Sequence, residues 1–331
     1  MEINALPLFE GTGNTLGYLY LRRMIQNGLE EKGVTIYREH EKECPVYLLV
    51  NNPPAFQRYF KEQVLLPYTM FETSLLPSHM IQAMAGCDVI ITPSRHNWKA
   101  MADSGLGGMP IHVVPMGIDP EVYGYIDRPQ RKEYTFLWCG AANFRKGFFE
   151  AVRAFNELNL PNSKFILKTT RNIGGEGVFQ IDNCTDPNVY LVNAKLSIEA
   201  LRELYQRADC FVFPSKGEAD IGLTTLEAMA TGLPCIATEW LFRESDYPDY
   251  YYPIKYELKK ANYNDAYWGY CGDWAVPKTD SIKEQMVYAY EHRTESLEMG
   301  RAMSEWVHAN RRWEQTIKGV YKVLEGIFNG L

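Results

Sequence analysis

The sequence predicts an α/β protein of two doubly wound, parallel-sheet domains, and three observations carry that prediction. Short apolar runs alternate with helix-forming stretches in two successive series along the chain. Within the second series, residues 207–238 (RADCFVFPSKGEADIGLTTLEAMATGLPCIAT) set out a strand, a polar loop with glycines, a helix and the next strand. With 331 residues, 46% of them hydrophobic, the chain is long enough to bury two ordinary cores.

In the first series Ile3–Leu6 reads as a strand, Phe9–Asn14 as a turn, and Thr15 to Lys32 as a helix closed by Gly33. Val34–Tyr37 and Val46–Val50 follow as strands, the second broken by Asn51-Asn52-Pro53-Pro54. Tyr68–Phe71 is a strand end and Pro77–Ala85 a helix; Val89–Thr92 and Ile111–Val114 are strands stopped by Pro93 and Pro115.

The second series opens with the strand Tyr134–Trp138, the loop Cys139–Gly147 and a helix ending near Leu158. Strands at Phe165–Thr169 and Val189–Val192 and a helix at Ser197–Arg207 lead to Cys210–Phe213. That run is apolar, β-branched or aromatic and stopped by Pro214, as a buried parallel strand reads. Ser215–Thr225 is polar, Leu226–Ala230 is rich in helix formers, and Gly232-Leu233-Pro234 ends the helix before the strand Cys235–Ala237. Ser281–Arg293 and Ser296–Ile327 read as helices.

A strand, loop and helix in this order leave free N–H groups and the positive end of a helix dipole at the carboxyl edge of a parallel sheet, where phosphate binds. Gly222, Leu223, Thr224, Thr225 and Leu226 are the expected phosphate-side residues. Glu227, in the first helical turn, either accepts from two vicinal ribose hydroxyls or is only a helix-start carboxylate favoured by the dipole. Arg145-Lys146-Gly147, two cations after a strand and a small-residue loop, suit a diphosphate or else form a solvated helix start. Gly11 and Gly13 before a helix let backbone approach a phosphate, but the longer G-x-G-x-x-G is absent because Leu16 occupies its last position. Glu72, beside Met70-Phe71, is either an acid–base group or a carboxylate near the start of the following helix.

Residues 207–238 resemble the donor-site signature of the retaining glycosyltransferases of family 4 (glycosyltransferase group 1): an apolar strand ending in Pro-Ser, an acidic loop, Gly-Leu, then Leu-Glu-Ala-Met-Ala-x-Gly-x-Pro. CDVIITPSRHNWKAM and IHVVPMGIDPEVY are similar to the end of that family's first domain, which implies a border near Val122–Asp127 and domains 1–125 and 126–307, and Gly272–Pro277 resembles the family's short strand before the closing helices. The resemblance implies the GT-B fold, two Rossmann-like domains with a cleft between them and a last helix, residues 308–331, that returns to the first domain. It also implies a nucleotide-diphosphate sugar, UDP- or GDP-linked, as donor, with no separate cofactor and no metal. The acceptor is a hydroxyl on a glycan, lipid-linked sugar or other glycoconjugate, and the anomeric configuration is retained.

In that family two glutamates with seven residues between them contact the transferred sugar and the ribose. Glu227 matches the second; the position expected for the first holds Ala219, so the sugar contact is assigned to Glu218, with Asp220 as competitor. Lys146 matches the family's Lys-Gly, and Arg145 stands in for its phosphate-binding arginine. Gly11 and Gly13 correspond to a loop facing the donor phosphates, and Glu72 to an acidic residue that positions the acceptor hydroxyl or takes its proton.

Composition narrows the partners. A net charge of −7 without a long basic block argues against a nucleic-acid surface, and Arg22-Arg23 with Lys32 is a thin version of the basic helix used for weak peripheral membrane contact. No cationic start leads into an apolar segment and no run reaches bilayer-spanning length, so the expected location is the cytoplasm. Seven irregularly spaced cysteines read as reduced, largely buried thiols; the histidines lack metal-ligand spacing, and Asp-x-Asp does not occur. The tyrosine-rich stretches 247–252 and 263–270 are either sugar-stacking or packing surfaces. Three other readings stay open: a GT-B nucleotide-sugar epimerase, a non-catalytic nucleotide-sugar binder, and a transferase acting on modified DNA bases.

Overall fold

The structure is a computed structural model describing residues 1–5, 16–52, 56–170, 187–243, 245–262 and 269–330. In chain order, β1 (Glu2–Ala5), α1 (Leu16–Glu31), β2 (Thr35–Arg38), β3 (Val46–Val50), β4 (Val64–Tyr68), α2 (Ser78–Met84), β5 (Ile90–Thr92), α3 (Arg95–Met101) and β6 (Ile111–Val113) form the first series. The second consists of β7 (Tyr134–Cys139), α4 (Phe148–Leu158), β8 (Ser163–Thr169), β9 (Val189–Asn193), α5 (Ile198–Arg207), β10 (Cys210–Phe213), α6 (Leu223–Ala230), β11 (Cys235–Thr238), α7 (Trp240–Arg243) and β12 (Tyr252–Ile254). After it come β13 (Tyr256–Lys260), β14 (Asp273–Pro277), α8 (Thr279–Glu291), α9 (Arg293–Asn310) and α10 (Trp313–Gly330).

The chain divides into two compact units: unit 1 is Met1–Gly117, Lys260–Asp273 and Arg311–Leu331, and unit 2 is Ile118–Lys259 and Trp274–Asn310. Lys260–Asp273 joins unit 1 through Ser74, whose amide donates to the Asp273 carbonyl at 3.2 Å and whose Oγ accepts from the Asp273 amide at 2.8 Å. The sequence pattern carries no sign of that pairing.

Unit 1 holds a six-stranded sheet in the order β2-β1-β3-β4-β5-β6, parallel throughout. β3 is a five-residue apolar run buried along its whole length, as a strand covered on both faces should be. β4 ends at Tyr68, earlier than the pattern suggests, because side chains then take over the backbone. The Tyr18 hydroxyl accepts from the Met70 amide at 3.1 Å, and the Asn97 side chain bonds both the amide and the carbonyl of Phe71, at 2.8 and 2.9 Å. Arg22, read from sequence as part of a basic surface, is 1% exposed and donates to the Val50 carbonyl, so it is not a surface cation.

The stretch expected as one helix, Ser296–Ile327, is two, α9 and α10, separated at Arg311-Arg312. The Arg312 amide donates to the Gln315 side chain, and a Cβ placed on Gly117 would lie 2.3 Å from the Arg312 backbone carbon. This close approach requires glycine. The break lets α10 pack within unit 1, where Gly28 of α1 faces Ile317 and the Thr316 hydroxyl donates to the Pro115 carbonyl at 2.8 Å.

Unit 2 is built on a second parallel six-stranded sheet, β12-β11-β10-β7-β8-β9, with β13 and β14 pairing separately. Its core is aromatic: Phe136, Trp138, Phe165, Phe211 and Phe213 are fully buried. Strands β7 to β9 progress one way from the middle and β10 to β12 the other, so the order reverses between β7 and β10, where Phe211 lies opposite Leu137. In a doubly wound sheet the loops leaving the carboxyl ends of such a strand pair diverge and open a ligand crevice.

Candidate functional site

The loops after β7 and β10 are bound to each other. The Lys216 amide donates to the Arg145 carbonyl at 2.7 Å, Arg145 Nη1 donates to the Gly217 carbonyl at 2.6 Å, and Trp138 Nε1 donates to the Lys146 carbonyl at 3.2 Å. Asn143 Oδ1 accepts from the Lys146 amide at 3.1 Å and closes the turn before α4. Gly147 begins that helix with φ 66°, a left-handed conformation, and a Cβ there would lie 1.9 Å from the Pro214 carbonyl oxygen. Glycine is therefore required where the two loops meet.

Glu218 sits at the centre. Its carboxylate accepts from Lys146 Nζ at 2.6 and 2.7 Å, from Arg145 Nη1 at 3.0 Å and from Ser215 Oγ at 2.7 Å, and its side chain is 7% exposed. Burial by itself raises the Glu218 pKa, but Lys146 and Arg145 outweigh it and hold the carboxyl below its ordinary value. The competitor for the sugar contact, Asp220, points elsewhere: its Oδ2 accepts from the Tyr247 hydroxyl at 2.9 Å. Ala219, at the spacing the family would use, is buried.

α6 starts three residues earlier than the pattern of helix formers suggests. Gly222, at φ 85°, is its N-cap, and the amides of Thr225 and Leu226 both bond the Gly222 carbonyl, at 3.1 and 3.0 Å. The outward amides of this helix start thus precede Thr225. Glu227 consequently lies in the second turn rather than the first, which weakens the reading of it as a carboxylate placed for the helix dipole. It is partly buried and accepts from the Tyr205 hydroxyl at 2.8 Å. Burial pushes its carboxyl up to about 7, against the opposing hydrogen bonds of Tyr205 and Tyr123 and the charge of Lys168.

Arg145, Lys146 and Glu218 are thus gathered at the strand-order reversal of unit 2, with Gly222 beside them: a Cβ there would lie 3.4 Å from Glu218 Oε2. Leu223, Thr224, Thr225, Leu226 and Glu227 follow along α6. Glu72 belongs to unit 1, half-buried on the segment pinned by Tyr18 and Asn97. Gly11 and Gly13 lie outside the described residues, as do residues 263–268 of the second tyrosine-rich stretch. In the first, Tyr247, Tyr251 and Tyr252 are buried. Ser215, Tyr123 and Tyr205 escaped the sequence reading; the Pro-Ser pair ending β10 was a usable signal for Ser215, whereas nothing local marks the tyrosines.

The six described cysteines are all buried. Among the described residues no group of three or more His, Cys, Asp or Glu is placed to hold a metal ion, and no helix is long and apolar enough to cross a membrane.

No curated protein matches the chain. Among solved structures, sucrose-phosphate synthase from Thermosynechococcus elongatus superposes with a TM-score of 0.71 at 13% identity, covering 100% of both chains. Alr3699/HepE of Anabaena, solved in complex with UDP-glucose, gives 0.68 at 11% identity over 98% of this chain and 100% of its own. A glycosyltransferase from Rickettsia africae gives 0.63 at 10% identity over 99% and 98%. The two parallel six-stranded sheets thus match GT-B glycosyltransferase structures. Residues 133–246, the span that carries Arg145, Lys146, Glu218 and Glu227, match the family model described as glycosyl transferases group 1.

Proposed function

We propose that the protein is a retaining glycosyltransferase of the family 4 type that moves a sugar from a UDP- or GDP-sugar to an acceptor hydroxyl on a glycan, lipid-linked sugar or other glycoconjugate. The observation that carries this reading is the Arg145–Lys146–Glu218 cluster at the sheet's reversal point, one loop from a helix bearing Glu227. The likeness to HepE, solved with UDP-glucose and also with UDP and glucose, supports a nucleotide-sugar donor and a sugar acceptor.

On this reading Glu227 accepts from the ribose hydroxyls, and Arg145 and Lys146 face the donor diphosphate. As the glycosidic bond breaks, negative charge grows on the departing diphosphate, and the two fixed cations stabilise it without reorganising. They perform the task a divalent ion performs elsewhere, so the proposed reaction needs no metal. Glu218, held ionised, contacts a hydroxyl of the transferred sugar, and Glu72 orients the acceptor hydroxyl or takes its proton. Glu218 lies among the cations assigned to the diphosphate, whereas Asp220 is bonded to Tyr247, which favours Glu218 over it.

The first experiment is thermal unfolding with UDP, GDP, ADP, CMP and their common sugar conjugates, since a ligand of the folded state raises the midpoint by mass action. Product analysis with the binding donor follows. A new glycoside with retained configuration supports the proposal; an isomerised donor indicates an epimerase, and donor bound but unchanged in the presence of acceptors indicates a binder.

A further inference from the structure

Glu227 is gripped from outside its own helix. Tyr205, on α5 and fully buried, donates to Glu227 Oε2 at 2.8 Å, and its hydroxyl also lies 3.3 Å from the Thr224 carbonyl. Tyr123, 6% exposed, supplies a second hydrogen bond to the same carboxyl. The two rings meet edge to face, with centroids 6.2 Å apart and planes at 73°, so each restricts the other.

Tyr205 is in turn held from behind. Its carbonyl accepts from Arg128 Nη2 at 3.2 Å. The same guanidinium donates to the Thr231 carbonyl at 2.6 Å and to its hydroxyl at 2.9 Å, and Thr231 caps the carboxyl end of α6. One buried cation thereby ties the end of α5 to the end of the helix that carries Glu227.

A carboxylate offers about four lone-pair positions. Two phenols occupy two of them, and two remain, the number needed to accept from both hydroxyls of a cis-diol. Among the described residues, the remaining titratable or charged groups facing Glu227 are Lys168 from β8 and Cys139 from β7. Neither is hydrogen-bonded to it in a way that would fix its orientation.

Resting on the donor-site reading above, we infer that Tyr205 and Tyr123 are positioning residues for Glu227, which fix the orientation of its carboxyl group and leave one face open to the ribose diol. They touch the carboxylate and not the nucleotide.

The test is titration calorimetry of the whole protein with UDP and with GDP, each beside its 2′,3′-dideoxy counterpart. Wild type is compared with Tyr205→Phe, Tyr123→Phe and Glu227→Gln. Each Phe variant keeps the ring and deletes only the hydroxyl, so the loss of one hydrogen bond to a charged group should weaken diol binding about tenfold near neutral pH. Dideoxynucleotide affinity should stay within about twofold of wild type, since the diphosphate contacts are untouched. The acid limb of diol binding should also move upward by about one pH unit, because the lost hydrogen bond favoured the ionised form.

Equal loss of both ligands without movement of the limb would show that the tyrosines only pack, and would overturn the inference. If Glu227→Gln abolishes the preference for the diol while both Phe variants retain it with an unmoved limb, the inference falls and the donor site stands. If Glu227→Gln itself keeps the preference, the donor-site reading fails first.

Discussion

Replacing Glu218 by Gln should make the unliganded protein less stable and its response to a nucleoside diphosphate larger. The amide keeps the size of the side chain and an oxygen for Ser215 Oγ, but removes the charge between Lys146 and Arg145. Removing one partner of a buried ion pair costs about 3–5 kcal/mol. The Arg145 and Lys146 side chains retain 16% and 17% exposure, so water recovers part of that and the loss lies near the lower end, about 3 kcal/mol. In a unit of this size the melting midpoint should fall by about 6–12 °C. Added UDP or GDP then returns negative charge to the two cations, whereas in the wild type it must compete with Glu218 for them. The assay is thermal unfolding at matched concentrations with and without each nucleotide. A ligand-induced rise in the variant no larger than in the wild type, for the nucleotide the wild type binds, would refute the assignment of these cations to the diphosphate.

Three further outcomes are expected. Gly147→Ala combines a left-handed backbone with a Cβ 1.9 Å from the Pro214 carbonyl, and urea unfolding should show a loss of about 2 kcal/mol or more. Glu227 has a native pKa of about 7 against an ordinary value of 4.5, so its stabilising contribution is complete below about 4.5 and is lost as pH rises through about 7. Glu227→Gln removes that dependence; relative to wild type the variant should gain up to about 3 kcal/mol between acidic and mildly alkaline pH, measured by denaturant unfolding across that range. Gly28→Val places a Cβ 2.1 Å from Ile317 Cδ1 and should loosen α10, read as faster amide exchange in α10 with exchange in β7 and β10 unchanged.

Much of the architecture was legible because buried parallel strands must be continuous apolar runs. Cys210–Phe213 and Val46–Val50 are such runs, stopped by proline or by Asn-Asn-Pro-Pro, and their bounds agree with β10 and β3. Lys146 and Glu227 were nameable because a cation before a helix and a carboxylate on one are local patterns. The start of α6 was not legible: threonines count against a helix by propensity, yet Gly222 with a positive φ turns the chain into it early. Likewise nothing within Ser296–Ile327 announces a break, since its cause is Gly117, far upstream.

By itself, then, the sequence determined most of the alternation of strands and helices, the plan of two parallel sheets and the types of charged residue available in the loops after β7 and β10, since each follows from periodicity, turn residues and charge over short spans. Tertiary structure alone decided which acid faces the cations. Glu218 and Asp220 are two residues apart in a loop without a repeating geometry, and the choice was made by Lys146 and Arg145 after β7 and by Tyr247 beyond β11. It also decided the setting of Glu227, because the phenols of Tyr123 and Tyr205 and the guanidinium of Arg128 reach it, or the residues holding it, only once α5 and α6 lie against the sheet. Hydrogen bonds between groups distant in sequence exist only after the chain has paid the entropy of bringing them together, so no local pattern records them.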